Sequence, residues 1–287
     1  MTIGALALLL LVNSLSVPQG STFEVRVPHA DDVSAVTATW QDKKIPLVRE
    51  GDVWIAAIGV DLDLKAGAHT ARIEIQRRAA TGSRPAQTST ETLQVNVTAV
   101  PWPTRVLEVE PKYVNPPKEE EDRIIREDSE LKALHRKVTS EKLWNGPFRS
   151  PVEGVAEGSS FGSRSVFNGQ ARSPHAGADL RAVTGTRILA TNRGRVVLAK
   201  DLYFTGNTVI VDHGLGVYSL YAHLSRIDVA VGAMVDSGQL LGLSGATGRV
   251  TGPHLHWGIK AQDARVDPFS LITVDRRVIT LELTQSR

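Results

Sequence analysis

The chain has 287 residues, long enough for two domains. With 41% hydrophobic and 22% charged residues it is neither disordered nor collagenous, and a net charge of +2 excludes wholesale nucleic-acid binding. Cysteine is absent, which removes disulfides, thiol nucleophiles and cysteine zinc sites, so any metal site must be built from His, Asp or Glu.

Residues Ile3 to Val12 form an almost unbroken apolar run. The run is shorter than the roughly 20 residues of a membrane span and fits the apolar core of an export signal. Ser14 and Ser16 offer a small-residue cleavage site, although no Lys or Arg precedes Arg26. A signal over 1–16 is preferred to a buried N-terminal strand or helix. No second apolar stretch follows, so the mature chain is expected to have no stable membrane span.

From Phe23 to Ala99 the pattern is strand-like. Phe23, Val25 and Val27 alternate with Glu24 and Arg26, and Ala71, Ile73 and Ile75 alternate with Arg72, Glu74 and Gln76. AVTATW (35–40), VWIAAIGV (53–60) and the alternation Leu93, Val95, Val97 complete the set, with Gly51-Asp52 and Ala66-Gly67 as turn signals. Six or seven short strands predict an Ig-like β-sandwich over 20–100.

Pro101, Pro103, Pro111, Pro116 and Pro117 then interrupt regular structure. The segment 119–138 places Ile124, Leu131, Leu134 and Val138 on one helical face. Glu119–Arg123, Asp122–Arg126 and Asp128–Lys132 are i,i+4 pairs. The expectation for 101–146 is a Pro-rich linker and a charged helix packed on a neighbouring domain. A helix covering a cleft is the sharper alternative.

From Phe148 onward short Gly-punctuated strands predict an antiparallel β domain over 147–273, and a further strand falls within 274–287. Five of the eight histidines lie in this domain: His175, His213, His223, His254 and His256. His254 and His256 are two apart and share a strand face. In GVYSLYAHL, strict alternation puts Ser219, Tyr221 and His223 on one face and Tyr218, Leu220, Ala222 and Leu224 on the other. Three imidazoles and a phenol would then enter one cleft. His213, beside Gly214, reads as structural.

His175 and Asp179 would be about 13 Å apart in a straight strand, too far for one metal. Gly177 permits the bend that joins them. A His, an Asp and one further His leave a fourth position open for water, the arrangement of catalytic zinc. Such a set leaves a net +1 at the ion and draws the pKa of a bound water towards neutrality.

HAGAD (175–179), YAHL (221–224) and GPHLHWG (252–258), with GNTVIVDHG (206–214) beside them, closely resemble the lysostaphin/LytM-type zinc metallopeptidases. The resemblance covers about Phe148 to Leu271. It implies a largely antiparallel β fold with a groove, built on the duplicated hybrid motif. It implies Zn2+ held by His175, Asp179 and His256, with His223 and His254 as the catalytic histidines that hold no metal. It also implies hydrolysis of peptide cross-links by zinc-activated water, stem peptides of bacterial peptidoglycan as partners, and a periplasmic or extracellular location. Asn207 and Arg164 flank these motifs and would position substrate or brace the groove, and Tyr221 would donate to the oxyanion or simply pack. Two other classes remain: a catalytically silent wall-binding or amidase-activating relative, and an adhesion protein whose sandwich does the work.

Overall fold

The computed structural model describes residues 14–78, 87–108, 116–155, 160–272 and 277–281. The apolar run from Ile3 to Val12 lies outside these residues. In the N-terminal half the strands are β1 (Ser14–Pro18), β2 (Thr22–Pro28), β3 (Val33–Trp40), β4 (Lys43–Pro46), β5 (Val48–Glu50), β6 (Val53–Gly59), β7 (Gly67–Arg77) and β8 (Gln87–Thr98). There follow β9 (Thr104–Leu107), the helix α1 (Glu121–His135), β10 (Arg164–Phe167), β11 (Gln170–Ala171), β12 (Gly177–Leu180) and β13 (Arg187–Leu189). Then come β14 (Gly194–Leu202), β15 (Gly206–Asp212), β16 (Val217–Ile227), β17 (Met234–Val235), β18 (Leu240–Ser244), β19 (Leu255–Ala261), β20 (Ala264–Val266) and β21 (Arg277–Thr280). The molecule is mainly β, and no helix among the described residues is long and apolar enough to cross a membrane.

Two sheets build the N-terminal unit, ordered β1-β8-β7-β3-β4 and β21-β2-β6-β5. The period-2 residues Val25, Val27, Ile58, Ile73, Ile75, Leu93 and Val95 point between the sheets and are buried in one core. Two chain ends complete it. β1 runs parallel to β8 with Val17 fully buried, so Ser14 and Ser16 lie within a paired strand. β21 runs parallel to β2, with Ile279 and Leu281 in the same core. The last described strand therefore forms the edge of the four-stranded sheet beside β2.

The second unit is a sheet ordered β12-β19-β16-β15-β14-β17, with β13, β18 and β20 attached to it. Leu255, Trp257, Tyr221, Val209 and Val211 fill the core behind it. Gln262 and Asp263, both at positive φ, turn β19 into β20 and present Gln262 to the N-terminal unit. The Gln262 amide donates to the Ala57 carbonyl at 2.9 Å and accepts from the Gly59 amide at 3.1 Å. Arg265 grips Asp61 through Nε and Nη2 at 3.0 and 2.7 Å. The proline-rich segment is also built in: β9 pairs parallel with β10, and Trp102 meets Phe161 edge-on at 5.4 Å.

Helix α1 carries Glu121 and Asp122 in its first turn and Lys132 and His135 in its last, as the helix dipole favours. Lys132 pairs with Asp128 at 2.7 Å, whereas Arg123 turns to Glu127 and Asp201, each at 2.7 Å. Leu131 and Leu134 pack on Leu198, Leu202, Ile210 and Tyr218. Directly paired residues of an antiparallel sheet share a face. The pairs Leu198–Ile210, Ile210–Leu220 and Leu220–Gly258 therefore lie on the face that also carries Ala222–His256 and His256–Asp179. The helix covers β14 to β16 on that face and leaves the strands bearing Asp179 and His256 beside it.

Candidate metal centre

Asp179 on β12 stands directly opposite His256 on β19. His175 lies just before β12 and returns to Asp179 across the bend at Ala176-Gly177. A Cβ on Gly177 would sit 2.5 Å from the Trp257 carbonyl and 2.8 Å from His256 Nε2, so only glycine lets this backbone pass the imidazole. Nε2 of His175 and Nδ1 of His256 lie 3.1 and 3.0 Å from Asp179 Oδ1. One donor atom from each of the three lies within 4.8 Å of the others. Two imidazole nitrogens and one carboxylate oxygen so converged form a donor set that fits a zinc-type ion.

Burial pushes the Asp179 carboxyl up, but hydrogen bonds and charge from His175 and His256 outweigh it and hold it well below the usual carboxylate range. His256 is held low, chiefly by burial and against the pull of Asp179. Its ring is thus kept neutral, the form in which imidazole binds a metal.

The other two histidines complete the cluster. His254 Nε2 is 3.7 Å from Asp179 Oδ1, and its ring centroid is 4.8 Å from that of His223. His223 lies 6.0 Å from His256, centroid to centroid. Each has its Nδ1 engaged by a backbone carbonyl, Thr247 for His223 and Gly252 for His254, both at 2.9 Å. A carbonyl only accepts, so each Nδ1 carries the proton and each Nε2 keeps its lone pair. Burial first, then the neighbouring imidazoles, bring His223 down to about 4.

Strict alternation fails at His223. Asn207 pairs with Leu224 and Val209 with Tyr221, so β16 carries one extra residue against β15. That bulge sets His223 at φ 64° and turns its ring to the His256 side. Tyr221 stays on the opposite, core face. Its hydroxyl accepts from the Thr191 amide at 2.8 Å and meets Ser219 Oγ at 2.9 Å, and the side chain is fully buried. The phenol expected in the cleft is therefore a core group. Ser219 continues the chain to His213 Nε2 at 2.7 Å, and His213 Nδ1 reaches the Arg193 carbonyl at 2.8 Å. His213 is structural, as its place in the sequence indicated.

Asn207 and Arg164 both brace. Asn207 donates to the Leu224 carbonyl at 3.0 Å, and Arg164 pairs with Asp63 of the N-terminal unit. Ser160 was missed in the sequence. Its hydroxyl lies 3.2 Å from His175 Nδ1 and accepts from the Asp179 amide at 3.3 Å. The carbonyls of Thr247 and Gly252 were also missed, because an orienting carbonyl has no residue signature.

Comparison with known proteins agrees with this architecture. Residues 173–268 match the model of Peptidase family M23. The crystal structure of a peptidase M23 from Pseudomonas aeruginosa superposes with a TM-score of 0.62 at 34% identity, covering 87% of this chain and 93% of that one. The chain belongs to peptidase family M23. Peptidoglycan DD-endopeptidase ShyA of Vibrio cholerae is 45% identical over 84 residues, which are 29% of this chain and 20% of ShyA. DD-carboxypeptidase/endopeptidase Mpg of Neisseria meningitidis is 38% identical over 112 residues, 39% of this chain and 25% of Mpg. The matches thus span a fifth to a quarter of these curated relatives.

Proposed function

We propose that the chain is a zinc-dependent endopeptidase that hydrolyses peptide cross-links of bacterial peptidoglycan after export from the cytoplasm. The convergence of His175 Nε2 and His256 Nδ1 on one oxygen of Asp179, with two oriented imidazoles beside it, carries the reading. The ShyA and Mpg names support the substrate class.

His175, Asp179 and His256 would hold the ion. Zinc bound there would polarise a scissile carbonyl and lower the pKa of water. His223 and His254 present Nε2 lone pairs to the same space. Either can take a proton there and, once protonated, give it to a leaving amine or donate to an oxyanion. Carbonyls hold both tautomers in place. A silent relative would have no need of five histidine and aspartate side chains kept in register. Digestion of purified peptidoglycan by the zinc-loaded chain, read by mass spectrometry, tests the proposal. Conversion of cross-linked fragments to monomers with a new free amine is expected. Survival of every cross-linked species would overturn it.

A further inference from the structure

The turn between β14 and β15 joins helix α1 to the two oriented histidines. Each residue of the turn, 203–206, makes a different tie. The Tyr203 amide donates to Glu127 Oε2 of α1 at 2.8 Å. The Phe204 carbonyl accepts from the Arg249 amide at 3.0 Å, in the loop between β18 and β19 whose Thr247 and Gly252 carbonyls orient His223 and His254. The Thr205 carbonyl accepts from the His223 amide at 2.8 Å. Gly206 (φ 59°) lies against the same loop, since a Cβ there would come 2.6 Å from the Gly248 amide nitrogen. The Asn207 amide follows, donating to Thr247 Oγ1 at 3.0 Å. Tyr203 thus faces the helix, and the residues after it face the site.

Glu127 is well placed to fix this turn. Its side chain is only 15% exposed, so water competes little for the carboxylate, and a charged acceptor strengthens the bond to a backbone amide. Arg123 Nε holds the other oxygen at 2.7 Å, and the same guanidinium reaches Asp201 Oδ2 on β14 at 2.7 Å. At the far end, His223 sits in the β16 bulge at φ 64°, a conformation that a non-glycine residue keeps only where its surroundings hold it. A bulge takes an amide out of the ladder, and here the Thr205 carbonyl receives it. We propose that Glu127 is a positioning residue for His223, acting through Tyr203 and Thr205, so that α1 braces the site instead of covering it. The catalytic consequence rests on the peptidase reading, whereas the positioning does not.

The test uses the full zinc-loaded chain and a soluble cross-linked fragment of purified wall. The variants are Glu127→Ala, Glu127→Asp, Glu127→Gln and Glu130→Ala. For each, kcat, KM and zinc content are measured, and amide hydrogen exchange at His223 is followed by NMR. Ala removes the acceptor, and Asp keeps the charge but is one methylene too short to reach the Tyr203 amide. Both should lose about 10- to 100-fold in kcat, the scale of a misplaced catalytic group, with KM and bound zinc near wild type. Exchange of the His223 amide should rise by about tenfold or more as local opening becomes easier. Glu127→Asp keeps the test decisive should the Ala variant fold poorly. Gln keeps an acceptor oxygen and should restore most of both. Glu130→Ala breaks only the 2.6 Å pair of the helix with Lys200 and should change neither, so it separates positioning from general docking of the helix. Faster exchange at His223 in Glu127→Ala and Glu127→Asp, with no turnover by wild type, would uphold the positioning and overturn the peptidase reading. Unchanged exchange at His223 in both variants would overturn the proposal, as would equal losses by Glu130→Ala or by Glu127→Gln. A gain in kcat on removing the Glu127 carboxylate would overturn it too, and would show α1 to be a cover.

Discussion

Tyr221 and His223 are two residues apart on one strand yet point to opposite faces of the sheet. The extra residue in β16 and the left-handed backbone at His223 produce the inversion. One ring is thereby sealed in the core while the other joins His254. On the proposed mechanism, His223→Ala keeps the metal and loses about 10²–10⁴-fold in kcat, the usual share of a proton-transfer group. His223→Val should in addition lower the melting temperature, because a β-branched side chain is strained at this φ. Activity and zinc content measured on both variants check this. Near-normal turnover by zinc-loaded His223→Ala would remove His223 from the chemistry.

The ligand set makes a separate prediction. Asp179→Asn retains the shape of the side chain but loses the anion that both histidines address. It should bind zinc far more weakly, and His256→Ala likewise. His254→Ala should retain stoichiometric metal, because its Nε2 stands off at 3.7 Å. Metal analysis after exhaustive dialysis decides, and full zinc in His256→Ala would refute the assignment.

Much of this site could be read from residue types and spacing. HxH fixes two imidazoles on one face, and Gly177 signals a bend. The inversion at His223 could not be read, since nothing in YAHL marks a bulge and non-glycine residues at positive φ are uncommon. The turn at Gln262-Asp263 was hidden for the same reason. The pairing of β21 with β2 joins residues about 250 positions apart, and local pattern carries no information on such pairing. The alternating residues in the N-terminal half did reveal their buried face, because period 2 holds wherever no bulge intervenes.

Arg265 and Asp61 tie the two units together through two side-chain hydrogen bonds and a third from the Arg265 amide at 2.8 Å. Both side chains are about three-quarters buried. Arg265→Ala should cost about 1–3 kcal/mol, since it leaves a partly buried carboxylate without its partner. A double-mutant cycle with Asp61→Ala measures the coupling, and additive losses would show that the pair contributes nothing. Truncation near Leu143 is a poorer probe of domain roles. It would strip β2 from β21 and the Ala57 carbonyl from Gln262, so lost activity would conflate misfolding with function.

His213 and His135, buried away from the site, add to the acid side of stability alongside His223 and His256. Burial brings His213 to about 4, and burial with the charge of Lys260 brings His135, packed edge-on against Tyr218, to about 4. In the unfolded chain each titrates near 6.5. Between these values the unfolded state binds more protons, so stability must rise with pH across this window. The contribution is complete above about 6.5 and is lost as pH falls towards 4, by up to about 3 kcal/mol for each ring. The carboxylates of Asp61 and Asp179, held low in the folded chain, act in the same direction but below about 4. Urea unfolding between pH 4 and 7, with chelator present, should therefore show a rising midpoint. His135→Leu removes a titrating ring but keeps an apolar contact with Tyr218. Its curve should be flatter than wild type between pH 4.5 and 6.5 by about the contribution of one histidine. Parallel curves for the two proteins would show that His135 is equally easy to protonate in the folded and unfolded chain.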